Sequence, residues 1–240
     1  MRGLVVCLFF GLAGPALADT TAVYENPAAN FKMTLEVAAN GDVRGDVAGK
    51  PGVYFLTLSG QGFFVIQTSS GVVVDRVEDV AAAIKFVAEK RFDPSILALM
   101  KADSPELADM SDLFTKGDDI VVQGRKGTPY YFSGPRRPDV SPVVVISSDP
   151  ELAPLGVAMA RQVAISASIQ LFADTSPFNL ELETIMRSGA PIEFAGAELT
   201  MVSHEPIPPS RFELPAAVES REDIIKRIDA TATDQRVTAF

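Results

Sequence analysis

Cysteine, histidine and tryptophan are almost missing from this chain: one, one and none in 240 residues. A single thiol, Cys7, excludes thiolate metal centres. A single imidazole, His204, excludes His-rich zinc sites and leaves one candidate for any Ser–His–Asp triad. His204 stands beside Glu205 and Pro206 at the end of a predicted strand, and the chain has no Gly-x-Ser-x-Gly elbow. Glycine-rich phosphate loops ending in Lys-Ser or Lys-Thr are also lacking. Gly117-Asp118-Asp119 does not provide the spaced oxygens of a calcium loop. Basic residues are the minority, 21 against 31 acidic ones, for a net charge of −10. That balance argues against nucleic acid or an anionic membrane surface as a partner. No catalytic residue, metal ligand or cofactor is expected, and the chain reads as a non-enzyme.

What is present begins with an address. Residues 1–18 read MRGLVVCLFFGLAGPALA. Arg2 is the positive n-region, Leu4 to Ala13 the apolar core, and Ala16-Leu17-Ala18 the small-x-small cleavage site of a secretory signal peptide. The apolar run is too short to span a bilayer, and no later segment is long and apolar enough to do so. Cleavage after Ala18 would remove Cys7, so the exported chain would depend on its core rather than on disulfides. The expected location is the periplasm. The expected division is a leader at 1–18, one domain at 19–218, and a C-terminal helix with a frayed tail at 219–240.

The first half of the domain reads as strands. Phe31, Met33, Leu35 and Val37 alternate with Lys32, Thr34 and Glu36, which predicts one apolar and one solvent-facing side. Asn40-Gly41 predicts a type I′ hairpin turn to a strand at 42–47. A second pair is expected at 53–58 and 63–68, joined through Ser59-Gly60-Gln61-Gly62, with a short strand at 72–74. Val77, Val80, Ala81, Ile84 and Val87 fall at helical spacing. Asp93-Pro94, Ser104-Pro105, Asp149-Pro150 and Ser176-Pro177 each pair an N-cap with a proline at the first helical position. The helix opened by Asp149-Pro150 is expected to run to about Ala173. Further strands are expected at 119–123, 128–133, 143–146, 191–194, 198–204 and 211–214. Ser220 and Asp223 form a capping box for a last helix.

The apolar surplus is the main functional clue. Phe55 and Phe63 on neighbouring strands, with Ile165, Ile169 and Phe172 at i, i+4 and i+7 of the long helix, could face one another across a gap between sheet and helices. Core packing competes with a ligand cavity as the account of these residues. Arg44 is unusual inside a strand; it either projects from the polar face or anchors a lid. Arg125-Lys126 and Arg136-Arg137 are solvated turns or an anion-holding pair. Glu181 with Glu183, and Asp118 with Asp119, are the carboxylate pairs that acid–base chemistry would require.

Val143 to Leu152 is a strand running into a helix. Together with Gly189-Ala190-Pro191 and Ile207 to Ala216, which contains Phe212-Glu213-Leu214-Pro215, it resembles a family of bacterial secreted proteins. That family is in turn related to the LolA-like periplasmic carriers of outer-membrane lipoproteins. The resemblance implies a half-open antiparallel barrel with helices on its concave apolar face, and an early-strand arginine, here Arg44, that holds the helical lid. It covers the first hairpins and the last third of the chain.

The expected fold is therefore α+β, a curved antiparallel sheet with helices packed on its apolar face. The expected function is non-enzymatic binding of lipid, acyl or lipoprotein moieties in an apolar gap. The alternative is a cell-envelope interaction or scaffold protein whose gap is filled by its own side chains, and an unrecognised hydrolase is the third reading. The partners in view are lipid or an acylated protein, not nucleic acid.

Overall fold

The computed structural model describes residues 18–49, 52–102, 113–133, 141–169 and 176–237. The alternating segment forms β2 (Phe31–Val37), with Met33, Leu35 and Val37 buried. It sits between β1 (Thr20–Asn26) and β3 (Val43–Val47). The meander continues through β4 (Val53–Leu58), β5 (Gln61–Thr68) and β6 (Gly71–Arg76). On the other side of β1 lies β12 (Ala197–Ser203), followed outward by β11 (Ala190–Phe194), β10 (Val144–Ser147), β9 (Arg125–Phe132) and β7 (Phe114–Lys116). β8 (Ile120–Val122) pairs with β9 beside this path, which completes a twelve-stranded, open, antiparallel sheet.

Strand β1 was not expected, yet it joins the two halves of the sheet. Thr20, Ala22, Val23 and Tyr24 are all buried, so it is covered on both faces and shows no alternation. Its partner β12 lies far away in sequence, beyond the reach of a hairpin signal. The turn chemistry also differs from expectation. The Asn40-Gly41 corner is not type I′, because only Gly41 has positive φ, at 85°. Ala38 N donates to Asp42 O at 2.8 Å and Gly41 N to Ala38 O at 2.8 Å, which is a three-residue loop closed by a left-handed glycine. Two-residue turns with positive φ at both positions occur instead at Ser59-Gly60, Gln123-Gly124 and Ala195-Gly196.

Five helices are present among the described residues: α1 (Val77–Arg91), α2 (Pro94–Ala102), α3 (Ala153–Ser168), α4 (Pro177–Arg187) and α5 (Arg221–Val237). Helix α3 follows a 3-10 turn at Pro150–Leu152 and stops at Ser168, short of the expected Ala173. The helix expected after Ser104-Pro105, with Leu113 and Phe114 on its face and Gly117 at its end, lies outside the described residues up to 112, and its last part is not helical: Phe114–Lys116 is strand β7, paired with β9. α5 continues to Val237, so the stretch from 231 to 237 read as frayed is helical. The strand expected at 211–214 is absent; Pro209–Phe212 is a 3-10 turn. Pro209 stands at the start of that turn, where its fixed φ suits a first helical position, so the chain enters 211–214 in a turn rather than extended.

Helices α1, α3 and α4 cover one face of the sheet, and the main core lies between the layers. Leu35, Tyr24, Leu199 and Ile192 of the sheet are fully buried there, with Leu155, Met159 and Met186 of the helices. The Tyr24 hydroxyl donates to Pro191 O at 2.8 Å, which satisfies the polar end of a buried ring, and burial pushes its pKa up. Helix α3 seats through small residues. A Cβ on Gly156 would lie 2.2 Å from Gly189 O, and one on Gly189 would lie 2.4 Å from Ser147 O. Only glycine permits that approach of three backbone segments.

A second, smaller core lies on the opposite face of the meander. Leu56, Phe63, Val65 and Val74 are covered there by Leu214, Ala216 and Val218. The chain after β12 therefore forms a strap, residues 204–220, over the outer face. It ends in a parallel bridge from Val218 to Val74 at the β6 edge, with Glu219 N donating to Val74 O at 2.8 Å.

Candidate functional site

Three of the four carboxylates named in the sequence, Glu181, Glu183 and Asp119, have structural partners. Glu181 accepts hydrogen bonds from Leu113 N at 3.0 Å and Phe114 N at 3.3 Å, while Glu183 pairs with Arg187 at 2.6 Å. Asp119 accepts from the Thr128 hydroxyl at 2.7 Å and pairs with Lys126 at 2.9 Å. The Thr128 hydroxyl, then Lys126, hold the Asp119 carboxyl below the usual carboxylate range. Arg125 donates to Leu199 O at 3.3 Å, and Arg136-Arg137 lies outside the described residues. His204 Nδ1 lies 3.4 Å from the Thr20 hydroxyl. Among the described residues no group of three His, Cys, Asp or Glu side chains is placed to hold a metal ion.

The apolar candidates do not converge on one gap. Phe55 is paired with Phe64, and Leu56 with Phe63, so Phe55 and Phe63 lie on opposite faces of the sheet. Phe55 belongs to the main core under the helices, and Phe63 to the small core under the strap. The Phe55 ring lies over Gly45, where a Cβ would come within 1.9 Å of it. Ile165 packs against Gly62 and Val77 in the same way, with 2.9 Å between its Cδ1 and a Cβ built at Gly62. The side chains therefore fill the sheet–helix interface at these positions. Ile169 caps the C-terminus of α3 and is half-buried, and Phe172 lies outside the described residues.

Arg44 anchors something other than the helices. It projects from the outer face, opposite Glu36 on β2, and its guanidinium grips Asp46 at 2.7 and 2.8 Å. The same group stacks on Tyr54, 3.5 Å from the ring centroid, and donates to Arg211 O of the strap at 3.3 Å. Burial pulls the Arg44 pKa down, but the hydrogen bond and charge of Asp46, with Tyr54, more than offset it and hold the pKa above the ordinary value. Arg211 reaches back to Glu36 at 2.9 Å and Asp46 at 3.1 Å. Glu36, expected to face solvent, thus lies under the strap with its side chain 13% exposed. Two arginines and two carboxylates pin the strap across β2 and β3.

One cleft has the character of an apolar binding site. It holds about 340 Å³ between the β2–β3 hairpin and the N-terminal half of α3. Val37, Ala39 and Val43 form one wall, and Pro154, Val157 and Ala158 the other, with Ala18 beside them. Arg161 closes one side and donates to Gly41 O at 2.9 Å. Val157 is 42% exposed although it is a large apolar residue on a well-packed helix. The sequence carried one signal for this place: Arg161 is the only charged residue in α3. A second cleft of about 340 Å³, near Lys116, Tyr130 and Ser148, is polar, and its Lys126 is already paired with Asp119.

Fold and cleft together define an α+β protein with a large open antiparallel sheet, a helical layer on one face and a strap on the other. No family model matches the chain, and no curated protein or solved structure matches it either.

Proposed function

We propose that this protein binds acyl groups in the bacterial periplasm without catalysing a reaction, and that the seat is the cleft between the β2–β3 hairpin and α3. One observation carries the reading: an apolar, solvent-open cleft of about 340 Å³ whose walls come from two rigid elements. Its size lies at the lower end of ligand pockets, which suits one alkyl chain rather than a multi-acyl lipid. The signal-peptide pattern at residues 1–18 supports the periplasmic location.

A dansyl-labelled undecanoic acid should bind the delipidated protein at micromolar concentration, about 8 kcal/mol. Val157→Glu should abolish binding by placing a charge against the apolar wall, and Val157 is exposed enough for the variant to fold. If the wild type binds no probe, and protein from its native host yields no lipid to extraction, the reading is wrong.

The scaffold alternative is favoured by a different observation. The interface around Phe55 and Ile165 is filled, while Phe86, Phe92 and Ile96 on α1, α2 and their junction are exposed. Absence of probe binding together with capture of a specific envelope protein would support it.

A further inference from the structure

One cation without a carboxylate partner among the described residues lines the apolar cleft. The chain is acidic, and most of its described arginines stand within 4 Å of a carboxylate. Arg44 and Arg211 meet Asp46, Arg76 and Arg221 meet Asp79, Arg91 meets Asp229, Arg187 meets Glu183 and Arg227 meets Asp75. Arg161 has no carboxylate partner among the described residues, and its hydrogen bond goes to the carbonyl of Gly41. The acids nearest in sequence to the cleft have other partners, and for Asp42 one of them is the side chain of Asn40, which donates to it at 2.9 Å. Asp19 accepts from Ala39 N at 2.9 Å and Ile207 N at 2.7 Å, and Asp42 accepts from Ser59 N at 2.7 Å. A half-buried guanidinium on the wall of a mostly apolar cleft, whose other polar side chain is Asn40, is thus left with unused donors. An anion is the partner that would use them, because charged hydrogen bonds are about twice as strong as neutral ones.

We propose that the cleft takes a single-chain amphiphile with an anionic head, and that Arg161 reads that head while the chain lies against Val43, Pro154 and Val157. The proposal rests on the reading of the cleft as an acyl site. It narrows the ligand to carboxylate- or phosphate-headed single chains and rejects neutral alkyl alcohols and glycerides. Arg161's bond to Gly41 holds the guanidinium in place before the ligand arrives, so little side-chain freedom remains to be lost on binding.

Isothermal titration of delipidated protein, made by expressing the full sequence, compares decanoate, decyl phosphate and decanol, which share one chain length. Decanoate or decyl phosphate should bind at least ten-fold more tightly than decanol, and whichever anion is tighter identifies the head. Arg161→Gln should bring the anion down to the affinity of decanol, and Arg161→Lys, which keeps the charge but not the fork, should retain part of the preference. Thermal melts of both variants establish that they fold. Equal affinity for the three ligands overturns this proposal and leaves the acyl site standing. A preference that survives Arg161→Gln assigns the head to another group and also overturns it. If none of the three binds, the acyl site and the head-group assignment fall together.

Discussion

Two glutamates face each other across the sheet. Glu193 of β11 lies directly opposite Glu198 of β12, which in turn lies opposite Glu25 of β1. Glu25 is paired with Lys32 at 2.7 Å, and Glu198 accepts from Gln123 at 2.6 Å. Burial, then the charge of Glu198, raises the Glu193 pKa above its ordinary value. A carboxyl with a raised folded pKa costs nothing below its unfolded pKa of about 4.3. Its cost grows as pH climbs from there through the folded value, and stays constant above it. Glu193→Gln should therefore raise the melting temperature at pH 7, and the gain should shrink to nothing near pH 4. Thermal melts across that range check it; an equal gain at both pH values would show that charge is not the cause. Gly45 is the other residue whose role the sequence hides. It reads as a weak point in a strand, yet it is the floor on which the Phe55 ring lies.

Among the elements, α5 is tied to α1 and β6 by a row of ion pairs around the fully buried Ile224. Arg221 pairs with Asp79 at 2.8 Å, Arg227 with Asp75 at 2.5 Å, and Asp229 with Lys90 at 2.9 Å and Arg91 at 2.6 Å. Ion pairs are screened by salt in proportion to their exposure, most at Arg221–Asp79 and Lys90–Asp229 and least at Arg227–Asp75, where the Asp75 side chain is 4% exposed, whereas burial of Leu35 or Leu199 is not screened. Hydrogen exchange should therefore find residues 221–237 opening before the sheet, and opening faster as sodium chloride rises. The hydrogen bond from Lys90, then that from Arg91, lowers the Asp229 pKa. This carboxylate's contribution is thus complete above an unfolded pKa of about 3.9, and is lost as pH falls through the lower folded value. Between pH 7 and pH 5 the exchange of α5 should not change on this account. A helix that stays protected to the same degree as β2 at high salt would show that apolar burial holds it. The start of α5 was legible, since Ser220 and Asp223 form the expected cap with Asp223 N donating to Ser220 Oγ at 3.2 Å. Its ionic partners on α1 were not, because they lie more than a hundred residues upstream.

At the scale of the whole molecule, the sheet has apolar side chains on both faces of β4 to β6, and two different covers. Helices take one face and the strap takes the other. Removal of residues 204–240 should leave Leu56, Phe63, Val65 and Val74 open to water along a paired edge strand. The truncated protein should bind anilinonaphthalene sulfonate and self-associate in light scattering, as large exposed apolar patches and uncovered edges do. A truncated chain that stays monomeric and takes up no more dye than the full chain would show that the strap is not a cover.

The sequence by itself determined the α+β class, because alternation at period two and helical spacing are local properties of the backbone. It also determined where the helices at Pro94 and Pro177 start, with Asp93 accepting from Ser95 N while the Ser176 side chain makes no cap bond, and the polar and apolar sides of β2. It could not determine which distant segment pairs with which. β1 was missed because it is buried on both faces and its partner β12 lies at the other end of the chain. The separation of Phe55 from Phe63 depended on register, since a shift of one residue between β4 and β5 exchanges their faces. Arg44 could be recognised as an oddity within a strand, but only the path of the strap decided that it grips Asp46 and Arg211 rather than a helical lid. The cleft at Arg161 exists only because α3 docks against the β2–β3 hairpin, a contact between segments 120 positions apart that no local pattern encodes.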